Sequence, residues 1–179
     1  YIDTQKLIRV DRSPVTQLWY TENGKMGDKA GLATETQKSI GVTIGVQISA
    51  GIEEPNAARF LYWYPENRPL KDILNTDVYA SASSILSQLV ATYSEDDLIL
   101  KKNEWMAKFQ KQLNDLYAPR GITIFSVGQY AGIIFDNPEI QKAIDRKMIA
   151  AKDLSAANDE VAAARVRAQA QDYLERQAR

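Results

Sequence analysis

Hydrophobic and polar residues alternate most regularly between residues 40 and 52. Aliphatic side chains occupy every second position from Ile40 to Ile52, and Gly, Thr, Gln or Ser occupies the positions between them. A period of two over such a length is typical of a β-strand with one buried face. The pattern therefore predicts a long strand at the centre of a sheet.

Three further segments are predicted to be β-structure. Residues 5–11 and 15–20 are two short strand candidates separated by Pro14, and residues 121–135 form a longer β segment. The alternation of the longer run breaks near Gly128 and Gly132, which predicts a bulge or a bend there.

Helices are predicted between these two β regions, where the apolar spacing changes to three and four residues. One covers residues 54–64 with Pro55 at its first position, where a missing N–H costs nothing. A second covers residues 75–92. A third is opened by Ser94, a favourable N-cap that is followed by acidic residues, and it ends before Pro119.

The chain changes character at Pro138. All nine Gly lie at or before Gly132, and Ala and charged residues dominate after Pro138. This change predicts an α+β domain over residues 1–137, with a mostly antiparallel sheet packed against helices. A single long C-terminal helix of coiled-coil type is predicted over residues 138–179, about 63 Å long if continuous.

The apolar stripe of that helix consists mostly of small side chains, so burial alone would stabilise it little. Two interpretations stay open: an assembly helix that pairs with copies of itself, or a partly frayed, solvated helix. The assembly interpretation assigns oligomerisation to five apolar positions: Ile140, Ile144, Met148, Leu154 and Val161.

Composition excludes several kinds of chemistry. The chain has no His and no Cys, which excludes Ser-His-Asp and Cys-His catalysis, disulfides and the usual zinc sites. Its net charge of −1 gives no reason to expect a nucleic-acid partner. The acidic pairs at residues 53–54 and 96–97 lie at predicted helix starts, where carboxylates are favoured structurally. No catalytic residue, cofactor or metal is therefore predicted, and the chain is not expected to be an enzyme.

The densest aromatic cluster includes Tyr62, Trp63 and Tyr64. Trp and Tyr are enriched at protein interfaces and at the membrane–water interface, so this cluster is a candidate patch for a partner or a membrane surface. Core packing is the favoured interpretation, because Phe60 and Trp63 share one helical face while Tyr62 and Tyr64 can reach water.

Three stretches carry a family resemblance: residues 116–124 (LYAPRGITI), residues 133–140 (IIFDNPEI) with Ala143 and Ile144, and residues 37–58. In these stretches and in the order of its elements, the chain resembles the SPFH family, also called the band 7 or prohibitin-homology superfamily. Stomatins, prohibitins, flotillins and the HflK and HflC pair belong to this family.

The resemblance implies a non-enzymatic membrane scaffold. Family members usually combine an N-terminal membrane anchor, an α/β domain and a C-terminal coiled coil, and they assemble into large homo- or hetero-oligomers. It further implies partners such as membrane proteases, membrane association with this domain on the soluble side, and an anchor supplied by residues before Tyr1. The alternative is a soluble adaptor that binds a protein partner through the aromatic cluster at Tyr62, Trp63 and Tyr64.

Overall fold

A computed structural model describes residues 8–65 and 68–177, without the side chains of residue 168 and residues 171–177. The chain consists of two units, Tyr1–Asn137 and Pro138–Arg179. The first is a mixed α/β domain with an antiparallel sheet packed against helices, and the second is a long helix, which confirms the predicted architecture at that level.

The strands and helices follow one another along the chain with short connections. The strands are β1 (Val15–Trp19), β2 (Thr21–Glu22), β3 (Lys25–Met26), β4 (Leu32–Glu35), β5 (Gly41–Gly51) and β6 (Thr123–Phe135). The helices are α1 (Ala57–Trp63), α2 (Leu70–Ile73), α3 (Tyr79–Val90), α4 (Glu95–Leu100), α5 (Lys102–Tyr117) and α6 (Pro138–Gln177). Short 3₁₀ turns cover Glu54–Asn56 and Ala118–Arg120, and a π-helical segment covers Leu74–Val78.

Strand β5 is the centre of the main sheet. Strands β1 and β4 pair with the same edge of β5, β4 with its first half and β1 with its second half. Strand β6 pairs with the other edge, and all three strands are antiparallel to β5. Strands β2 and β3 form a separate small hairpin. The long alternating pattern thus correctly identified the strand to which all other strands of the main sheet attach.

The core lies on one face of β5, between the sheet and the helices. Val42, Ile44, Val46 and Ile48 are fully buried there, as the alternation predicted. Helices α3 and α5 contact each other and neighbouring strands of the sheet. The largest fully buried side chains of the domain are Trp19, Phe60, Trp105, Phe109 and Tyr117.

Strand β6 is interrupted at two places in its pairing with β5. Extra residues bulge out between Gln129 and Ile133, where Ala131 and Gly132 both have positive φ. This bulge confirms the predicted break near Gly132, whereas Gly128 pairs regularly with Gln47.

The second irregularity lies at Phe125 and had no signal in the alternation. Side chains of α5 bond to the backbone at this point. The Gln110 amide donates to the Phe125 carbonyl at 3.1 Å, and the Ile124 N–H donates to the Asn114 side-chain oxygen at 3.1 Å.

The bulge in β6 explains why residue 45 is a glycine. A Cβ on Gly45 would clash with the Tyr130 carbonyl oxygen and would approach the Tyr20 side chain. The Tyr20 and Tyr130 rings contact each other in a tilted arrangement, with centroids 4.8 Å apart and an interplanar angle of 57°. A side chain at position 45 would therefore push the bulge away from β5.

Several predicted boundaries were wrong. The predicted strand over residues 5–11 has no strand in residues 8–11, and residues 5–7 lie outside the described part. The predicted helix over residues 75–92 begins earlier, at Leu70, and passes through the π-helical segment. The helix opened by Ser94 is two helices, because regular helical geometry is interrupted at Lys101. The Ser94 cap itself is confirmed, since its hydroxyl accepts from the Asp97 N–H at 3.3 Å.

The π-helical segment places Asn75 in a polar network beneath β1. The Trp19 indole donates to the Asn75 side-chain oxygen at 2.9 Å, and the Asn75 amide donates to the Gln17 side-chain oxygen at 2.7 Å. Trp19 and Gln17 are almost entirely buried. Because buried polar groups are costly when unpaired, Asn75 ties the helical layer to the sheet.

Replacing Asn75 with Leu should leave the Trp19 N–H and the Gln17 oxygen without this partner. We expect the free energy of unfolding to fall by about 1–3 kcal/mol, measured by urea denaturation. The control is Asn103→Leu on the exposed surface of α5, which should change it by less than about 0.5 kcal/mol. Equal effects of the two substitutions would contradict a stabilising role for the network.

Glu95 links the start of α4 to the turn before β5. Its carboxylate accepts from the Thr36 hydroxyl at 2.9 Å and from the Lys38 ammonium at 3.3 Å. Burial is the largest single influence on the pKa of Glu95, and it raises that pKa. The opposing influences are hydrogen bonds from the Glu95 backbone, Thr36 and Lys38 and the positive charge of Lys38. Together they lower the pKa of Glu95 below its usual value.

A lowered pKa in the folded state makes this link sensitive to acid. Its contribution to stability is present above the usual glutamate pKa and is lost as the pH falls below that value through the lowered one. Glu95→Gln should therefore destabilise the domain by about 1 kcal/mol at pH 7, and the difference from the parent should shrink at pH 3. Urea denaturation at both pH values tests this, with Glu22→Gln in the exposed hairpin as control. A difference that is the same at both pH values would contradict the assignment.

Candidate functional site

One residue of each acidic pair noted in the sequence forms an ion pair with a nearby basic residue. Glu54 lies in the 3₁₀ turn before α1 and pairs with Arg12 at 3.2 Å, and Asp97 lies in the first turn of α4 and pairs with Lys101 at 3.1 Å. Within residues 8–65 and 68–177, no group of three or more acidic side chains has the spacing to hold a metal ion.

The aromatic cluster divides between surface and core differently from the prediction. Tyr62 is 81% exposed and Trp63 is 51% exposed, whereas Tyr64 is buried. Trp63 therefore does not share the buried position of Phe60, and the predicted exposure of Tyr64 was wrong. The cause is the end of α1 at Trp63, after which Tyr64 leaves helical geometry and packs its ring 5.1 Å from that of Phe60.

Arg120 completes this surface from a distant part of the chain. Its guanidinium lies 5.3 Å from the ring centroid of Trp63 and 5.0 Å from that of Tyr117. The Tyr62 and Trp63 rings meet edge to face at 6.1 Å. We call Tyr62, Trp63 and Arg120 the aromatic patch. A cation–π contact at an exposed site is worth about 0.5–1 kcal/mol, so Arg120 helps to orient the exposed indole.

A glycine determines how Arg120 reaches Trp63. Gly121 has a φ of +84°, and a Cβ there would lie 2.6 Å from the Phe60 nitrogen and 2.7 Å from the Asn56 carbonyl oxygen. The turn after α5 therefore packs closely against α1. The sequence gave no local signal for Arg120 as part of the patch, because the contact depends on this close packing between segments far apart in the chain.

Two buried tyrosines, Tyr64 and Tyr117, lie beneath the patch. Burial raises the pKa of both Tyr64 and Tyr117. The Tyr117 hydroxyl donates to the Asp77 carbonyl at 2.7 Å and shares a 2.8 Å hydrogen bond with the Ser81 hydroxyl. Both phenols therefore stay protonated at neutral pH, so neither is available as a general base.

The five positions assigned to oligomerisation all lie on α6. Ile140, Leu154 and Val161 are separated by multiples of seven residues, so they fall on one line at coiled-coil spacing. Ile144 lies one turn after Ile140, and Met148 lies further round the helix at about 100° per residue. In the structure Ile144 is buried and Ile140 is half-buried, so these two positions are less accessible to a partner helix than the other three.

Large aliphatic side chains on α6 reach solvent along most of its described length. Met148 is 43% exposed, Leu154 is 64% exposed and Val161 is 52% exposed, and Ile149 and Val166 are exposed as well. Charged pairs accompany them, such as Lys142 with Glu139 at 3.6 Å. Among the described residues, no helix combines the length and the apolar character that crossing a membrane requires.

No family model matches the chain, and no curated protein matches it either.

Proposed function

We propose that this chain is a non-enzymatic scaffold domain of the SPFH type, which assembles with copies of itself through α6. In this proposal the assembly organises a membrane or regulates membrane-protein partners such as proteases. The membrane and protease parts rest on the sequence resemblance alone.

One observation carries the assembly proposal: α6 runs for 40 residues with exposed Leu154 and Val161 at heptad spacing. A helix of that length extends about 60 Å. Burying one Leu or Val against a partner helix is worth about 1.5–3 kcal/mol. Pairing with a second α6 would bury both residues of each copy, which favours association.

Mass measurement by light scattering after gel filtration tests the assembly. We expect the 179-residue chain to form multimers whose mass rises with concentration. Leu154→Lys combined with Val161→Lys should shift it towards the monomer, because two buried charges per helix would oppose pairing.

The matched control is Ala156→Lys combined with Ala163→Lys. Ala156 and Ala163 lie about 200° round the helix from Leu154 and Val161, on the opposite face. The two control substitutions add the same charge as the two test substitutions. This variant should assemble like the parent. A parent that stays monomeric at about 100 μM, or equal loss of assembly in both variants, would contradict the proposal.

A second candidate function is favoured by the exposure of Tyr62 and Trp63. A soluble adaptor would use the aromatic patch to contact a protein partner, since exposed Trp and Tyr beside Arg are enriched where partners dock. This candidate requires the patch to be dispensable for folding.

Replacing Trp63 with Gln tests that requirement. We expect urea denaturation to show a loss of about 1 kcal/mol, because the indole is half exposed and the substitution removes only its surface contacts with Arg120 and Tyr62. Phe60→Gln, at a fully buried position in the same helix, should destabilise the domain by about 3 kcal/mol or more. If the two substitutions destabilise equally, Trp63 belongs to the core and the adaptor function is excluded.

A further inference from the structure

A cavity of about 820 Å³ opens beside the start of β1. Its walls come from the irregular segment at residues 9–13, the first residue of β1, the chain just after β5, helix α1 and residues 68–71. Its volume falls in the range of small-molecule sites in proteins. The described residues that line the cavity include no residue of the aromatic patch.

The floor of the cavity is apolar. Ile52, Phe60 and Leu70 line it and are almost entirely buried, and the half-buried Val10 and Val15 continue the apolar surface. Such a surface is favourable for aliphatic groups, because covering it removes apolar area from water.

The other lining residues bring mainly positive charge. Arg9, Arg12, Arg68 and Lys71 line the cavity, and among its described lining residues only Asp11 carries a carboxylate. The Ser13 backbone N–H donates to the Asp11 carboxylate at 3.0 Å. This hydrogen bond is the main cause that lowers the pKa of Asp11, so its charge is retained at neutral pH.

Three of these cations make ion pairs with carboxylates that do not line the cavity. Arg12 contacts Glu54 at 3.2 Å, Lys71 contacts Asp28 at 3.5 Å and Arg68 contacts Asp77 at 3.8 Å. Such partly exposed pairs contribute at most about 1 kcal/mol each. A guanidinium has five N–H donors and an ammonium has three, so each cation can bind a second anion while it keeps its present partner.

We propose that this cavity binds a small amphiphilic anion, in which an unbranched apolar chain ends in one carboxylate group. The chain covers the floor formed by Ile52, Phe60 and Leu70, and the carboxylate lies among the cations. A small hydrophilic anion would leave the floor in water, and a neutral hydrocarbon would gain nothing from the cations. Charge and apolar surface together therefore select the amphiphile.

Calorimetric titration of the full chain with decanoate, below its micelle concentration, tests the proposal. We expect saturable binding of one decanoate per chain that weakens as NaCl is raised, because salt screens the attraction. Butanoate should bind at least tenfold more weakly, since each buried methylene is worth up to about fourfold in affinity. Decyltrimethylammonium, with the same chain and the opposite charge, should not bind.

Charge variants locate the binding. Arg68→Gln combined with Lys71→Gln should weaken decanoate binding at least fivefold, and Asp11→Asn should tighten it about twofold. Asp11→Asn keeps a side-chain oxygen for the Ser13 N–H. The control Lys25→Gln removes an exposed cation from the β2–β3 hairpin and should leave the affinity unchanged.

Two results would overturn the proposal. One is equal affinity for decanoate and decyltrimethylammonium, which would show apolar adsorption without charge selection. The other is an Arg68→Gln and Lys71→Gln variant that folds, as judged by circular dichroism, and binds decanoate like the Lys25→Gln control. Neither result bears on assembly through α6, so the two proposals are tested independently.

Discussion

The fold depends on the pairing of one strand, β5, with three others. Strands β1 and β4 occupy one edge and β6 the other, so the register of β5 determines which residues of the whole sheet face the helices. A slip of one residue would turn Ile44 and Val46 from the core to the opposite face. The close approach of β6 at Gly45 opposes such a slip. The slip would bring Ile44 or Val46 to the place of Gly45, and the side chain of either would clash with the Tyr130 carbonyl oxygen.

Local patterns were sufficient for the elements that local interactions determine. The alternation around β5 and the Ser94 cap were predicted because each depends on residues adjacent in sequence. Strand β4 was missed because it has only four residues, and its pairing with β5 supplies the order that its own sequence lacks. The π-helical turn at Asn75 was also missed, since its partners Trp19 and Gln17 are more than 50 residues away.

The candidate sites show the same division between local and long-range information. The exposed apolar positions of α6 were predictable, because a long helix follows from its composition and start signal alone. The orientation of Trp63 was not, since it depends on where α1 ends and on Arg120 from another part of the chain. The cationic cavity had no sequence signal either, because Arg9 and Lys71 come together only when the chain between them folds.

The hydrogen bonds from α5 to the second irregularity of β6 have a consequence for behaviour at high concentration. An outer strand with free amide and carbonyl groups is a template on which foreign strands add and fibrils grow. Gln110 and Asn114 occupy the Phe125 carbonyl and the Ile124 N–H with side chains that a foreign strand would have to displace. The same contacts that dock a helix on the sheet therefore also protect this stretch of β6 from aggregation.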